Sequence, residues 1–353
     1  IPQATFANLA SGDLVVVMEE AVFPVSPSQI LKVDPTTGQQ TTIASLDGYD
    51  GEPGGLTIDN SGMIYVTIDP LSSEDDPRGK ILKVDPVTGE VTLFSAGGLL
   101  TDPNDIALDP DGNLVIAQPG TILRVNITTG EQYFISSYNN LVEPEGLSVT
   151  KEGVIYVADN PTERVLRVTA DGMQEVFFNR TIPVGGPYDT VVAADNSIAI
   201  LQYGNVVSVD QTSKTQTIIA GDQYIGDNIL RTVGFRSRLD VEADGNFVIA
   251  FDNFTDSGIA RVDNANGNVS IVTISPEDSR GFTGIAVVKQ ISPPGTGNGT
   301  TLEPPVVSTS TDGLDITIDW TSVSGATGYT LYYAPVTDTG YGTIASIDMK
   351  VST

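Results

Sequence analysis

The sequence contains no cysteine and no histidine among its 353 residues. Without cysteine there can be no disulfide, no thiolate nucleophile and no zinc–thiolate site. Without histidine the chain also lacks the most common general base and the most common transition-metal ligand. Any catalysis would therefore depend on carboxylates, tyrosine, lysine, arginine or a cation held by oxygen atoms.

Basic residues are scarce, because 17 Lys and Arg stand against 45 Asp and Glu, for a net charge of −28. This charge repels nucleic-acid phosphates and anionic lipid surfaces, so we expect no nucleic-acid partner. No stretch reaches the length of about 18 apolar residues that a membrane-spanning helix needs, and we expect no membrane insertion. An acidic surface attracts divalent cations, and Ca²⁺ is the cofactor that carboxylate oxygens would favour.

The sequence is rich in a repeated unit of four short strands separated by glycine turns. The unit is clearest between Pro103 and Ile135, where Val-, Ile- and Leu-rich strands alternate with Asp-Gly and Thr-Gly turns. Equivalent units start about 40 to 50 residues apart, the length of a propeller blade, near Pro53, Pro103, Pro144, Pro187, Arg236 and Phe282. The sequence therefore predicts an all-β fold with a six-bladed β-propeller over residues 1–290.

The two ends of the repeat array each supply part of one blade. The N-terminal segment has only three strands, Leu14–Met18, Ile30–Val33 and Gln40–Ala44. Near the other end, Thr283–Val288 is an inner strand with no further strands after it. Joining the two ends completes a four-stranded blade and leaves no free sheet edge in the ring.

The strand and turn pattern resembles the NHL-repeat propellers and, more distantly, the gluconolactonase-like and strictosidine-synthase-like group. The segment Val154–Asn160, followed by Arg164–Val168, carries the strongest match. The resemblance implies a propeller fold for all six blades. It does not determine the activity, because this scaffold hosts lactonases, lyases and binding modules.

One set of candidate site residues follows the start of each inner strand, at the expected mouth of the central channel. Four of them could offer oxygen ligands to a hard cation, and the fifth is a counter-charge or substrate anchor: Asn104, Asp105, Glu145, Asp189 and Arg238. The gluconolactonase resemblance implies a divalent metal here. The match is partial, because Pro144-Glu145-Gly146 stands where that family has Pro-Asn-Gly. The alternative is that these residues only support the structure.

A second set lies on the long-loop face, where the connections between second and third strands and between blades are expected. These connections are long in blades one, two and six, and their carboxylates are predicted to form an acidic wall: Glu19, Glu20, Glu74, Asp75, Asp76, Asp252 and Asp256. The alternative is ordinary solvated charge. The opposite, turn face carries tight Asp- and Gly-rich turns, which we interpret as turn formers. We expect any ligand or partner, and the main pocket, on the long-loop face.

The last part of the chain differs in composition. Residues 291–302 form a Pro/Gly/Thr-rich linker, and residues 303–353 are predicted to be a partial fibronectin type III-like β-sandwich with Trp320 in its core. Half a sandwich leaves strand edges unpaired. We expect either that the chain continues past Thr353 or that this unit self-assembles by strand addition with a neighbouring subunit.

Together these features favour a secreted or cell-surface binding or scaffolding module of a larger modular protein. Its partner is expected to be a protein or a glycan, and no catalytic residue is assigned. One alternative is a metal-dependent lactonase or hydrolase of the gluconolactonase-like type, worked by the residues at the channel mouth. Another is a structural subunit of an extracellular assembly.

Overall fold

The computed structural model describes nine segments of the first 290 residues and the backbone of six strands beyond them. The segments are 9–20, 28–49, 51–69, 78–179, 186–203, 205–221, 237–252, 257–275 and 279–289. The chain divides into two compact units, Ile1–Ser292 and Pro293–Thr353. Every regular element in the described segments is a β-strand, so none of them is a helix long and apolar enough to cross a membrane.

Six four-stranded antiparallel sheets make up the first unit, and each is one blade. Blade 1 contains β1 (Leu14–Glu20), β2 (Gln29–Val33), β3 (Gln40–Ser45) and, as its inner strand, β24 (Ser279–Val287). In the other blades the strands follow the chain from inner to outer. Blade 2 has β4 (Glu52–Ile58), β5 (Ile64–Asp69), β6 (Lys80–Val84) and β7 (Val91–Ala96), and blade 3 has β8 (Asp105–Leu108), β9 (Leu114–Gln118), β10 (Thr121–Val125) and β11 (Gln132–Ser137).

Blade 4 has β12 (Pro144–Val149), β13 (Ile155–Asp159), β14 (Arg164–Val168) and β15 (Gln174–Asn179), and blade 5 has β16 (Pro187–Val192), β17 (Ile198–Gln202), β18 (Asn205–Val209) and β19 (Gln216–Gly221). Blade 6 has β20 (Arg238–Val241), β21 (Phe247–Asp252), β22 (Ser257–Val262) and β23 (Val269–Ile274).

The ring closes through blade 1, as the sequence predicts. Strand β1 pairs antiparallel with β24, with Val15 opposite Ala286. The inner strands contact one another in the cyclic order β4, β8, β12, β16, β20, β24 and back to β4. The predicted six-bladed propeller with closure by its N- and C-terminal strands is therefore confirmed, and blade 3 lies across the channel from blade 6.

The hydrophobic core lies between neighbouring blades. The second strand of each blade is covered on both faces, so it reads as a nearly continuous apolar run and not as an alternating one. In β9 and β13 every residue is buried. Val115 of blade 3 and Val157 of blade 4 belong to one cluster, which shows that adjacent blades share their apolar side chains.

Asp side chains shape the turns of the turn face. The Asp34 Oδ1 atom accepts the backbone N–H groups of Thr36 and Thr37, each at 2.8 Å. These bonds, with that of Thr37 first, hold the pKa of Asp34 below its usual value. Asp85 accepts the N–H of Val87 in the same way at 2.8 Å. At these positions the carboxylates act as turn formers.

The second unit is described only by its backbone strands. They are β25 (Val307–Asp312) paired with β26 (Asp315–Trp320), β27 (Gly328–Tyr333) paired with β30 (Ala345–Lys350), and β28 (Val336–Thr337) paired with β29 (Gly340–Tyr341). The side chain of Trp320 and residues 291–302 lie outside the described part. The linker, the fibronectin type III-like sandwich and self-assembly through it stay predictions.

Candidate functional site

Of the residues predicted to form the acidic wall, Glu19 is the one whose side chain the structure describes. This residue lies in β1 opposite Gly281 and is only 5% exposed, so it is not a solvent-facing loop carboxylate as expected. The sequence placed the end of the strand too early, because β24 extends far enough to pair with Glu19 and Glu20. Asp252 likewise pairs within its sheet, opposite Ser257. The rest of the predicted wall lies outside the described residues: the side chains of Glu20 and Asp252, and residues Glu74, Asp75, Asp76 and Asp256.

The five predicted channel residues all line the central channel, but at two levels. Asn104 and Glu145 line a cavity of about 170 Å³ on the long-loop face, called here the mouth cavity. Asp105 and Asp189 line a lower cavity of about 310 Å³, and Arg238 lines both. The five residues therefore do not form a single cluster.

The lower cavity is the larger of the two described cavities, and it extends to Asp59 and Asn60 on the turn face. This corrects the expectation that the main pocket lies on the long-loop face. Small residues such as Ala107 and Ala286 line this part of the channel and leave it wide. Three of its carboxylates accept backbone N–H groups: Asp105 from Leu147, Asp189 from Leu239 and Asp240 from Val287.

Arg238 crosses the channel and separates the two cavities. Its Nη2 atom donates to the carbonyl oxygen of Asn104 on the opposite blade at 3.1 Å. Its Nε atom lies 3.8 Å from Asp105 Oδ1. The side chain is 5% exposed, so its charge is held within the protein by these groups.

Asp105 and Asp189 fasten adjacent blades together. Asp105 Oδ2 accepts the N–H of Leu147 on blade 4 at 2.8 Å, and Asp189 Oδ2 accepts the N–H of Leu239 on blade 6 at 2.7 Å. Burial raises the pKa of both carboxyls, and the Arg238 guanidinium opposes this rise. Both side chains therefore have the structural role that the sequence analysis kept as the alternative to a metal site.

Two glycines make room for these carboxylates. A Cβ atom on Gly55 would lie 2.9 Å from the Cα of Asp105, and one on Gly146 would lie 2.7 Å from the Cα of Asp189. Glycine thus faces aspartate at two blade junctions, between blades 2 and 3 and between blades 4 and 5. This close approach leaves no room for a side chain at either glycine.

The divalent metal implied by the gluconolactonase resemblance does not fit these residues. The Arg238 guanidinium lies beside Asp105, and the carboxylates of Asp105 and Asp189 accept backbone N–H groups of the next blade. Across the described segments, no three acidic side chains lie close enough together to hold a metal ion.

The mouth cavity contains a carboxylate of a different kind. Glu145 lines it and is 8% exposed, and its carboxylate makes no hydrogen bond within the described part of the chain. Burial raises the pKa of Glu145 to about 7, Arg238 opposes the rise, and Glu143, Asp102 and Asp159 add to it. A buried acid without a hydrogen-bond partner and with a pKa near neutrality is typical of a functional site.

The ends of the second strands hold the rim of this cavity. Asp159, at the end of β13, is fully buried and accepts the N–H groups of Val142 at 2.8 Å and Glu143 at 3.2 Å. Gln118, at the end of β9, accepts the N–H of Thr101 at 3.1 Å. The loops that lead into blades 3 and 4 are therefore held by hydrogen bonds to the ends of β9 and β13.

Tyr138 stands on the same rim loop as Val142 and Glu143. It is 72% exposed, and its backbone has a φ of 51°, a left-handed conformation that few non-glycine residues adopt. Its ring lies over Gly120. In the equivalent turn of blade 2 the left-handed positions are filled by Gly97 and Gly98.

Gln174 holds the Tyr138 turn in place. Its Oε1 atom accepts the N–H of Asn140 at 2.9 Å, and its Nε2 atom donates to Ser136 Oγ at 2.8 Å and to the Tyr138 carbonyl at 3.0 Å. Gln132 makes the corresponding bonds to Leu99 and Ser95 in the preceding blade. The same turn geometry therefore occurs in both blades, but the residue at the first left-handed position is glycine in blade 2 and tyrosine in blade 3.

We expect Gln174→Ala to loosen this turn and to lower the free energy of unfolding by about 1 kcal/mol, since partly exposed neutral hydrogen bonds are lost. Hydrogen exchange of the Asn140 amide should accelerate, while the amide of Leu99, held by Gln132, should stay protected. Equal acceleration at both amides would mean that Gln174 does not act locally.

Sequence reasoning missed Tyr138, Asp159, Gln174 and Thr283 as site residues. A comparison of blade 2 with blade 3 in register would have shown tyrosine where the repeat has glycine. The other three were not distinguishable from ordinary polar residues, because their roles depend on contacts between blades.

The sequence matches no protein-family model and no curated protein. Solved structures are similar to it. One chain of the crystal structure of a nidogen/laminin complex is 14% identical, with a TM-score of 0.61 over 78% of this chain and 99% of that one. A catalytically inactive virginiamycin B lyase from Staphylococcus aureus with quinupristin is 15% identical, with a TM-score of 0.52 over 89% and 94%.

A protein of unknown function from Bacteroides caccae is also similar, at 15% identity and a TM-score of 0.56, over 78% of this chain and 98% of that one. At these identities the likeness shows the fold alone. The chain is a six-bladed β-propeller, and these solved structures are similar to it in fold.

Proposed function

We propose that the chain is a secreted or cell-surface binding module that holds a protein partner on the long-loop face, over the rim loop Tyr138–Glu143. One observation carries this proposal: an exposed tyrosine keeps a left-handed backbone where the preceding blade has glycine. That conformation costs an L-residue roughly 1–2 kcal/mol. Strain of this kind clusters at functional positions.

The chemistry of Tyr138 suits a protein interface. Tyrosine supplies a large, rigid contact surface with a polar tip, and it is enriched among the residues that dominate binding energy. Val142, on the same loop, is 52% exposed and adds apolar area beside the acidic residue Glu143. The nidogen/laminin complex supports the idea, because a propeller of this fold occurs there in a protein–protein complex.

A lyase function is less well supported. The form of virginiamycin B lyase that is catalytically inactive differs by a histidine-to-alanine change, whereas this chain contains no histidine. A lactonase of the gluconolactonase-like type would need metal ligands, and Asp105 and Asp189 already accept backbone N–H groups. The location outside the cell is proposed from the acidic, cysteine-free composition and from the predicted join to a sandwich unit.

Replacing Tyr138 tests the proposal. We expect Tyr138→Gly to fold at least as stably as the parent, with a gain of about 1 kcal/mol from relieved strain. Its affinity for a protein partner should fall at least tenfold, since an anchoring aromatic side chain is lost. Purified extracellular-matrix and cell-surface proteins, immobilised and probed by biolayer interferometry, provide the measurement.

The matched control is Val87→Ser, which changes an apolar residue of similar exposure, 57%, on the turn face. Its binding should be unchanged. A partner that loses affinity with Val87→Ser and keeps it with Tyr138→Gly would place the interface on the turn face and contradict the proposal. Binding only to glycans within a parallel panel would contradict the choice of a protein.

A further inference from the structure

Among the described residues, more acidic than basic side chains line the mouth cavity. Five carboxylates and one guanidinium line it: Glu52, Asp69, Asp102, Glu143, Glu145 and Arg238. The guanidinium donates to the Asn104 carbonyl and approaches Asp105. Of the five acids, Glu145 is the one whose surroundings carry the inference.

Glu145 differs from the other buried acids of the channel region. Asp105, Asp159 and Asp189 each accept at least one backbone N–H. The Glu145 carboxylate has no hydrogen-bond donor within the described segments, although the residue is only 8% exposed and lines the cavity. The buried hydroxyl of Thr283, which lines the same cavity, is also without a partner there. Buried polar groups normally find partners, so both groups are open to a ligand that the described residues do not supply.

We propose that the mouth cavity receives the cationic head of an arginine or lysine side chain of the protein partner, with Glu145 as its principal acceptor. This inference rests on the proposed function, because it assigns the partner's chemistry at the same face. A guanidinium or ammonium group has only hydrogen-bond donors, whereas an ionised carboxylate has only acceptors, so the two are complementary. Such charge-assisted hydrogen bonds are about twice as strong as neutral ones.

The size and spacing of the cavity favour an organic cation over a metal ion. Calcium needs six to eight oxygens at about 2.3–2.6 Å, and no three described acidic side chains converge closely enough to hold a metal ion. A cavity of about 170 Å³ has room for a guanidinium or ammonium head. Asp102, Glu143 and Glu145 lie on the cavity wall and can each accept a separate hydrogen bond from such a group.

Binding should depend on pH through Glu145. Its pKa is about 7, and the charged groups that face it are Glu143, Asp102, Asp159 and Arg238, with the phenol of Tyr188 on the next inner strand. A bound cation favours the carboxylate form, so affinity should rise by about tenfold between pH 6 and pH 8 as Glu145 ionises.

The test uses the full chain, ¹⁵N-labelled, in about 0.15 M salt to screen weak surface attraction. Amide chemical shifts of Glu145 and Thr283 are followed while N-acetyl-arginine-N-methylamide or the lysine equivalent is added. We expect the shifts to saturate with the basic probes. The citrulline equivalent has the same size without the charge, and its affinity should be at least tenfold lower. Glu145→Gln should weaken arginine binding at least tenfold, while Glu152→Gln, an exposed acid on the same blade, should not.

Equal affinity for the arginine and citrulline probes would overturn the inference, and so would undiminished binding by Glu145→Gln. Shifts at these amides with CaCl₂ but with neither basic probe would assign the cavity to a metal and overturn it too. The two proposals can fail separately. A partner lost with Tyr138→Gly, together with no arginine binding, keeps the proposed function and removes the cavity inference. Arginine binding with a partner indifferent to Tyr138→Gly does the reverse.

Discussion

Replacing Glu145 by glutamine is expected to raise the free energy of unfolding by about 3 kcal/mol at pH 8 and to leave it nearly unchanged at pH 4. The pKa of this carboxyl is about 7 in the folded chain, against an ordinary value of 4.5. Each unit of difference corresponds to about 1.4 kcal/mol. Glutamine has nearly the same size and carries no charge to bury.

The direction of the pH dependence follows from the raised pKa. The unfolded chain releases this proton at a lower pH than the folded chain, so the contribution of Glu145 to stability is complete below about pH 4.5. It is lost as the pH rises through 7. The parent protein should therefore weaken over this range relative to Glu145→Gln, and other titrating groups cancel in the comparison.

Urea denaturation of both proteins at pH 4, 6 and 8, followed by circular dichroism, measures the difference. Glu152→Gln is the control, because its side chain is 57% exposed and the change should matter at no pH. Equal stability of the parent and Glu145→Gln at pH 8 would show that Glu145 already has a compensating partner. Because functional sites often carry a cost in stability, the expected result also supports the cavity inference.

The fold could be predicted from the sequence because its signals are local. Gly turns, alternating strands and blade-length spacing mark each blade, and three strands at one end with one at the other predict the closure between β1 and β24. The least accurate strand boundary was the start of the closing strand, predicted at Thr283 and found at Ser279. The burial of Glu19 depends on how far β24 extends opposite it, and one strand's sequence does not contain that information.

The site was only partly predictable, because its chemistry depends on contacts between blades. The sequence brings Asn104, Glu145 and Arg238 to the channel mouth. It does not show that Arg238 donates to a carbonyl on the opposite blade. This contact occurs once in the ring, so the repeat pattern contains no signal for it. The left-handed backbone of Tyr138 is likewise a property of the folded turn, held by Gln174.

The close approach of Gly146 to Asp189 between blades 4 and 5 leads to a second strong prediction: Gly146→Ala should lower the free energy of unfolding by about 3 kcal/mol or more. The added Cβ would lie 2.7 Å from both the Cα of Asp189 and the carbonyl oxygen of Tyr188. These are backbone atoms, so a side-chain rotation cannot relieve the contact and blades 4 and 5 must move apart. The added Cβ would also meet Oδ1 of the Asp189 carboxylate, and displacing this carboxylate would weaken the hydrogen bond that its other oxygen accepts from the N–H of Leu239.

The control variant distinguishes a steric clash of the added Cβ from the loss of the backbone conformation that glycine allows. Gly112 has a φ of 82° and open space around the position of a Cβ atom, so Gly112→Ala reports conformational strain alone, about 1 kcal/mol. Denaturation of the two variants beside the parent gives the comparison. The double variant Gly146→Ala with Asp189→Ala should recover little, because the clashes with the Asp189 and Tyr188 backbone remain. If the two glycine variants lose equal stability, close packing of the inner strands is not what requires glycine at this position. Full recovery in the double variant would assign the clash to the carboxylate and not to the backbone.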